Sequence, residues 1–155
     1  MSFDDLRDLY QGVIMDHGRH PRHGTRLQSF DVTAKGDNPM CGDRVQIWLK
    51  YAPDHTIADA GFEARGCAIS IASADLMADV VRGRSPADTK ALFDAFRAMV
   101  RTGICPDHAG DLADPLEKLK PLLGVHEYPS RVKCATLAWH ALTAALEGVQ
   151  EGSSE

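Results

Sequence analysis

Residues 45–51, Val45-Gln46-Ile47-Trp48-Leu49-Lys50-Tyr51, place an apolar side chain at every second position. A period of two is typical of a β-strand that buries one of its faces. Phe30, Val32 and Ala34 alternate in the same way upstream, and residues 57–64 form a third apolar segment downstream. Because the links between these segments are short, we predict three consecutive strands joined as antiparallel hairpins.

The rest of the chain has the apolar spacing of helices. Ser85 and Pro86, for example, resemble a helix cap followed by proline at the first helical position. Helices are predicted from Ser2 to near Gly18, from Cys67 to near Gly83, from Ser85 to before Gly103, over residues 115–123, and from Pro129 or Ser130 through Leu146. Three strands followed by helices predict an α+β fold, in which a three-stranded antiparallel sheet packs against several α-helices.

Length and composition limit the class of protein. The chain has 155 residues, 44% of them apolar and 25% charged, which fits one globular domain over residues 1–148 with a frayed polar tail over 149–155. Its 17 basic and 22 acidic residues give a net charge of −5, which argues against nucleic acid or a membrane as partner. The acidic start does not resemble a secretory signal, so we expect a soluble, cytoplasmic protein.

Three of the four cysteines lie where predicted elements begin or end. Cys41 lies in a turn-rich loop before the second strand, with Asp43 two residues later. Cys67 separates the third strand from a helix, and Cys134 lies near the start of the last helix. In a reducing compartment such cysteines serve more often as metal ligands or reactive thiols than as disulfides. If these ends converge, three thiolates and a carboxylate form a site that suits zinc.

The residues alone leave other interpretations open. Buried cysteines also behave as small apolar side chains, and Asp43 beside Gly42 could be an ordinary turn residue. The dispersed ligands differ from the paired Cys-x-x-Cys motifs of structural zinc sites. A carboxylate is also easier to replace than a thiolate, which suits a site that exchanges a ligand. Cys105 has no second ligand pair nearby, and we interpret it as a partly buried thiol outside the site.

Four motifs carry a resemblance to a known family. They are Leu9-Tyr10-Gln11-Gly12-Val13-Ile14-Met15-Asp16-His17 with Pro21-Arg22, Gly36-Asp37-Asn38-Pro39-Met40-Cys41-Gly42-Asp43, Phe62-Glu63-Ala64-Arg65-Gly66-Cys67-Ala68-Ile69-Ser70 with Ala72-Ser73-Ala74, and Arg131-Val132-Lys133-Cys134-Ala135-Thr136-Leu137-Ala138-Trp139. Their residues and order resemble the IscU/SufU family of iron–sulfur cluster assembly proteins, whose domain is NifU N-terminal-like. The resemblance covers most of the chain. It implies a metal bound by Cys41, Asp43, Cys67 and Cys134.

Two departures from IscU-type scaffolds point to the SufU-type branch. Lys133 stands where IscU-like proteins have a histidine before the third cysteine. The separation of Cys67 and Cys134, 134 − 67 = 67 positions, is also long, and the surplus at about 85–114 resembles the insertion of SufU-type proteins. The resemblance therefore implies a zinc-dependent sulfurtransferase. Its implied partners are a SufS-type, pyridoxal-phosphate-dependent cysteine desulfurase and the downstream Suf cluster assembly complex.

The resemblance also implies a mechanism with Cys41 as the catalytic nucleophile. A side chain of the desulfurase replaces Cys41 on zinc, and the released thiolate takes the outer sulfur of the partner's persulfide. Arg131 and Lys133 are possible auxiliary residues. Arg131 would steer the persulfide or pair with Asp43, unless it is simply solvated. Lys133 cannot ligate while it is protonated, which leaves Asp43 as the fourth ligand.

Two alternative functions use the same cysteines. The protein could be a scaffold on which a [2Fe–2S] cluster is assembled and transferred, with iron in place of zinc. Lys133 and the long insertion argue against that interpretation. Alternatively, a structural zinc could support a domain that only binds partners, although the carboxylate in the ligand set argues against it.

Overall fold

The computed structural model describes residues 3–39, 42–105, 110–148 and 151–152. In chain order the elements are α1 (Phe3–Arg19), β1 (Val32–Asn38), β2 (Asp43–Tyr51), β3 (Ile57–Arg65), α2 (Ala68–Val80), α3 (Pro86–Thr102), a 3-10 helix (Gly110–Leu112), α4 (Ala113–Leu119), a second 3-10 helix (Lys120–Glu127), α5 (Pro129–Leu146) and β4 (Glu151–Gly152). The prediction of an α+β fold with a three-stranded antiparallel sheet is confirmed.

The sheet has β2 at its centre, and its strands lie in the order β3-β2-β1-β4. β1 and β3 both pair with β2 in antiparallel register, so that Ile47 lies opposite Ala34 on one side and Phe62 on the other. These three residues are buried beneath the helices. The two residues of β4 pair in parallel with β1. Their neighbours in the predicted frayed tail lie outside the described residues, so that prediction remains untested.

α5 lies across the buried face of the sheet and is joined to α2 by a buried hydrogen-bond chain. Ser73 Oγ donates to the Ala135 carbonyl at 2.5 Å, and Trp139 Nε1 donates to Ser73 Oγ at 3.3 Å. Phe93 and Phe96 of α3 stack on the Trp139 ring, with centroid distances of 5.7 and 4.8 Å. Each polar atom in this series of hydrogen bonds has a partner, so the series fixes the distance between α2 and α5.

Helix α3 begins and ends at the capping residues that the sequence predicted. Ser85 Oγ accepts from the Asp88 N–H at 3.1 Å, Pro86 starts α3, and Gly103 ends it at φ 75°. A left-handed residue just after the last turn is the usual helix end, and glycine adopts that conformation without strain. α4 begins at Ala113, slightly before the predicted helix, because a 3-10 turn leads directly into it.

α1 is fastened to α2 by a buried carboxylate. Asp75 is fully buried, its Oδ2 lies 2.5 Å from His17 Nδ1, and its Oδ1 accepts from the His23 N–H at 2.8 Å. Gly18 allows the close approach, because a Cβ there would lie 3.1 Å from the Ala68 side chain. The end of α1 is therefore held against the first residue of α2. Within the described residues, we find no helix with the length and apolar character needed to cross a membrane.

Candidate metal centre

Three of the four predicted ligands converge at one end of the sheet. Asp43 starts β2, Cys67 immediately precedes α2, and Cys134 lies in the second turn of α5. Their ligand atoms all lie within 4.8 Å of one another. Asp43 and Cys134 are buried, whereas Cys67 is exposed. Cys41, predicted as the fourth ligand and as the nucleophile, lies outside the described residues.

The Asp43 carboxylate is held by the start of α2. Its Oδ1 accepts from the Cys67 N–H at 2.9 Å, and its Oδ2 lies 3.9 Å from Cys67 Sγ. No cationic side chain in the described part of the chain forms an ion pair with it. Burying a carboxylate is costly unless it is paired or ligates a metal. The surrounding thiols and this carboxylate are donors that fit zinc.

Gly66 leaves the space that the Asp43 carboxylate occupies. Its φ is +134°, and a Cβ at this position would overlap Oδ1 of Asp43. Residues with side chains rarely adopt that conformation. Gly66 therefore allows the end of β3 to pass next to Asp43 and place the Cys67 N–H on it.

The two thiols of the ligand group, Cys67 and Cys134, differ in their pKa values. In the metal-free protein, the pKa of Cys67 is lowered to about 6, chiefly by a hydrogen bond from the Cys134 thiol and further by the backbone N–H groups of Ser70 and Ile69. Burial and the Asp43 charge oppose this shift. The pKa of Cys134 is raised, because its proton is held by Cys67 and its thiol is desolvated. The exposed thiol is therefore the one that favours the thiolate, the form that binds metal.

The predicted auxiliary residues lie on the surface beside this group. The Arg131 guanidinium lies over the Tyr128 ring, 5.1 Å from its centroid. Lys133 is exposed on α5, one residue before Cys134. No hydrogen bond or ion pair joins either residue to Asp43, Cys67 or Cys134 within the part of the chain described. Their auxiliary roles remain predictions.

An apolar groove of about 750 Å³ opens at the start of α2. It runs between α1, the first turn of α2, the second 3-10 helix and the first turn of α5. The lining residues include Tyr10, Ile14, Ile69, Leu123, Tyr128 and Arg131. Ala68 and Ile69 line the groove, so its lining begins one residue after Cys67 in the chain.

Sequence reasoning missed two residues that shape this end of the fold. Gly66 has no sequence signal beyond its place before Cys67, because its conformation depends on Asp43 in another strand. Asp75 does have a signal, since it interrupts an apolar helix, and buried acidic residues are rare unless paired. Its partner is His17, the last residue of the first motif.

Comparison with known proteins identifies the family. Residues 9–135 match the NifU-like N-terminal domain, so the chain belongs to this family, which includes the IscU/SufU proteins of iron–sulfur cluster assembly. It is 36% identical to the iron–sulfur cluster assembly scaffold protein IscU of Streptococcus pyogenes serotype M1, over 95% of this chain and 88% of the relative. It is also 36% identical to the zinc-dependent sulfurtransferase SufU of Bacillus subtilis (strain 168), over 99% of this chain and 100% of the relative.

A solved structure has the same fold. A crystal structure described as that of a hypothetical protein aligns with a TM-score of 0.79 and 35% sequence identity. The alignment covers 92% of this chain and 99% of the other. The α+β architecture is therefore that of a protein of nearly the same length.

Proposed function

We propose that this protein is a zinc-dependent sulfurtransferase, which accepts persulfide sulfur from a SufS-type cysteine desulfurase and carries it to the Suf cluster assembly complex in the cytoplasm. The observation that carries the proposal is the buried Asp43 carboxylate, which lies with the Cys67 and Cys134 thiols in one ligand group. A mixed oxygen and sulfur donor set suits zinc. The name of the Bacillus subtilis relative supports the same activity.

The residue before Cys134 supports zinc over a cluster. A histidine at that position would add an imidazole to the site, but the chain has Lys133, which is exposed. The ligand group formed by the described residues contains no histidine. Zinc would be held by Asp43, Cys67, Cys134 and Cys41. Bound there, it would hold the thiols as thiolates near neutral pH.

The sulfur transfer is a thiol–disulfide type exchange at Cys41. The Cys41 thiolate attacks the outer sulfur of the donor's persulfide, and a new S–S bond forms to Cys41 Sγ. The S–S bond of the donor breaks, and the donor cysteine leaves as a thiolate. The persulfide is thus transferred without net oxidation or reduction, and no further reactant is required.

The test is cysteine-dependent sulfide release by a SufS-type desulfurase in the presence of the native, metal-stripped and zinc-reconstituted protein. We expect about one zinc per chain by elemental analysis. Stimulation should be lost on stripping and restored by zinc. Cys41→Ala should abolish sulfur acceptance and stimulation, whereas Cys105→Ala, outside the ligand group, should retain both. Stimulation by the Cys41→Ala protein would overturn the proposal.

A [2Fe–2S] scaffold is the second candidate. It is favoured by the Streptococcus pyogenes relative, an IscU scaffold protein with the same 36% identity as the SufU relative. Iron and labile sulfide in the purified protein, with little stimulation of the desulfurase, would support the scaffold and contradict the sulfurtransferase.

A further inference from the structure

The segments around the ligands have a charge opposite to that of the chain. The whole chain has a net charge of −5. Within three positions of the four predicted ligand residues, however, every charged residue apart from Asp43 is a cation. These cations are Arg44, Arg65, Arg131 and Lys133. All four are exposed.

Two of these cations are placed where they repel each other. Arg44 and Arg65 are directly opposite in the β2–β3 register. Like charges in that arrangement destabilise a sheet. Arg44 has Asp37 at 3.7 Å, but both side chains are more than half exposed, so the ion pair contributes little. Arg65 forms no ion pair with any residue that the structure describes. The stability of the fold therefore gives no reason for this pair.

The four cations flank the ligand group from two sides. Asp43 and Val45 point toward the helices, so Arg44, one position on, points to the opposite face of the sheet. Arg65, opposite Arg44, lies on that same face, in an open cavity of about 550 Å³ that also contains Lys35, Asp37 and Glu63. Arg131 and Lys133 belong to α5, on the helix side. One pair of cations therefore belongs to the strands that carry Asp43 and lead to Cys67, and the other pair belongs to the helix that carries Cys134.

We propose that these four cations, Arg44, Arg65, Arg131 and Lys133, form a recognition surface for an acidic rim around the persulfide-bearing cysteine of the sulfur-donating protein. This proposal rests on the proposed function, because it concerns the partner of the same site. Guanidinium groups bind carboxylates through two parallel hydrogen bonds, which fixes orientation. Opposite charges on the two proteins also accelerate their encounter. The excess of positive charge where an otherwise acidic chain must receive its donor fits this role.

The test compares Arg44→Gln/Arg65→Gln with a control that removes two distant exposed charges, Lys50→Gln/Lys90→Gln. The readout is the concentration that half-maximally stimulates a SufS-type desulfurase, measured from low to high salt. At low salt we expect the half-maximal concentration of the Arg44→Gln/Arg65→Gln variant to be about threefold to tenfold higher, while the control matches the wild type. The difference should vanish near 1 M salt, where the screening length is about 3 Å. Zinc content and maximal stimulation should be unchanged.

The conservative variant Arg44→Lys/Arg65→Lys should recover most of the low-salt affinity, because it keeps the charge. Equal half-maximal concentrations for the wild type and the glutamine variant at every salt concentration would overturn the recognition surface and leave the proposed function intact. A loss of zinc from the glutamine variant would also overturn it, because the arginines would then act on the metal centre. If the wild-type protein itself failed to stimulate the desulfurase, the proposed function would fail, and this inference with it.

Discussion

Gly66 and Asp43 share a space that admits either the carboxylate or a Cβ atom, but not both. A Cβ at Gly66 would overlap Oδ1 of Asp43, the atom that accepts from the Cys67 N–H. The missing side chain just after β3 thus permits a buried carboxylate on β2 and a hydrogen bond to it from the residue before α2. The candidate metal centre therefore depends on a residue that would bind no metal.

Replacing that glycine should damage the site. Gly66→Ala places a Cβ on the carboxylate and forces a φ of +134° on a residue with a side chain. We expect about 1–3 kcal/mol of destabilisation and a marked loss of zinc affinity. The matched control is Gly12→Ala on α1, where a Cβ meets nothing within 4 Å. Thermal unfolding and competition with a zinc chelator measure both effects, and wild-type values for Gly66→Ala would refute this account.

Two substitutions of Asp43 should separate its roles. Asp43→Asn keeps an acceptor for the Cys67 N–H but loses the charged ligand, so we expect weaker zinc binding with a stable α2. Asp43→Ala loses both, with a further cost of about 1 kcal/mol from the lost hydrogen bond with the Cys67 N–H. Zinc titration and amide hydrogen exchange of the first turn of α2 measure the two roles. Equal exchange in the two variants would show that the hydrogen bond between Asp43 and the Cys67 N–H does not stabilise the start of α2.

Alkylation of the metal-free protein should reveal the acidic thiol. In a Cys41→Ser/Cys105→Ser background, the alkylation rate of Cys67 should rise with pH around a midpoint of about 6, since only the thiolate reacts. Adding Cys134→Ala removes the largest cause of the lowered pKa, so the midpoint should move upward. An unchanged midpoint would mean that the hydrogen bond between the thiols is absent in solution.

His140 should make the fold sensitive to acid. Burial, with Arg97 and Arg101 nearby, lowers its pKa to about 4, and its Nε2 has no hydrogen-bond partner among the described residues. The unfolded chain accepts the proton below about pH 6.5, but the folded chain does so only near pH 4. The free energy of unfolding should therefore fall as the pH decreases from 6.5 to 4.

The variant His140→Phe keeps the aromatic edge against Phe93 and removes the titration. Allowing for partial exposure, we expect it to recover roughly 1 kcal/mol at the acid end of that range. Urea unfolding at several pH values is the measurement. The exposed His20→Gln variant serves as the control and should follow the wild type. If the free energy of unfolding changed with pH in the same way in the wild type and in His140→Phe, His140 would not be the source of the acid sensitivity.

Local patterns predicted those parts of the fold that depend on neighbours in the chain. The alternation around Ile47 predicted the central strand, and Ser85-Pro86 predicted the start of α3. The cysteine motifs indicated a ligand group, of which Asp43, Cys67 and Cys134 do converge. Cys41 lies outside the described residues, so its place in the group remains a prediction.

What could not be predicted depends on contacts between distant residues. His17 and Asp75 are 58 positions apart, and neither position reveals the other. The conformation of Gly66 follows from a carboxylate in a different strand. The like-charged pair of Arg44 and Arg65 became visible only with the strand register, because a shift of one residue would place them apart.

The contact between His17 of α1 and Asp75 of α2 affects the order in which the chain folds. α1 packs mainly on α2 and on the second 3-10 helix, Lys120–Glu127, rather than on the sheet. Both surfaces are encoded well downstream of it, and so is the Asp75 carboxylate that receives His17. During synthesis α1 leaves the ribosome before these two partners, and it has neither surface to bind until they have followed. α1 is therefore made before its partners but takes its place only after them, and its packing completes one wall of the groove at the start of α2.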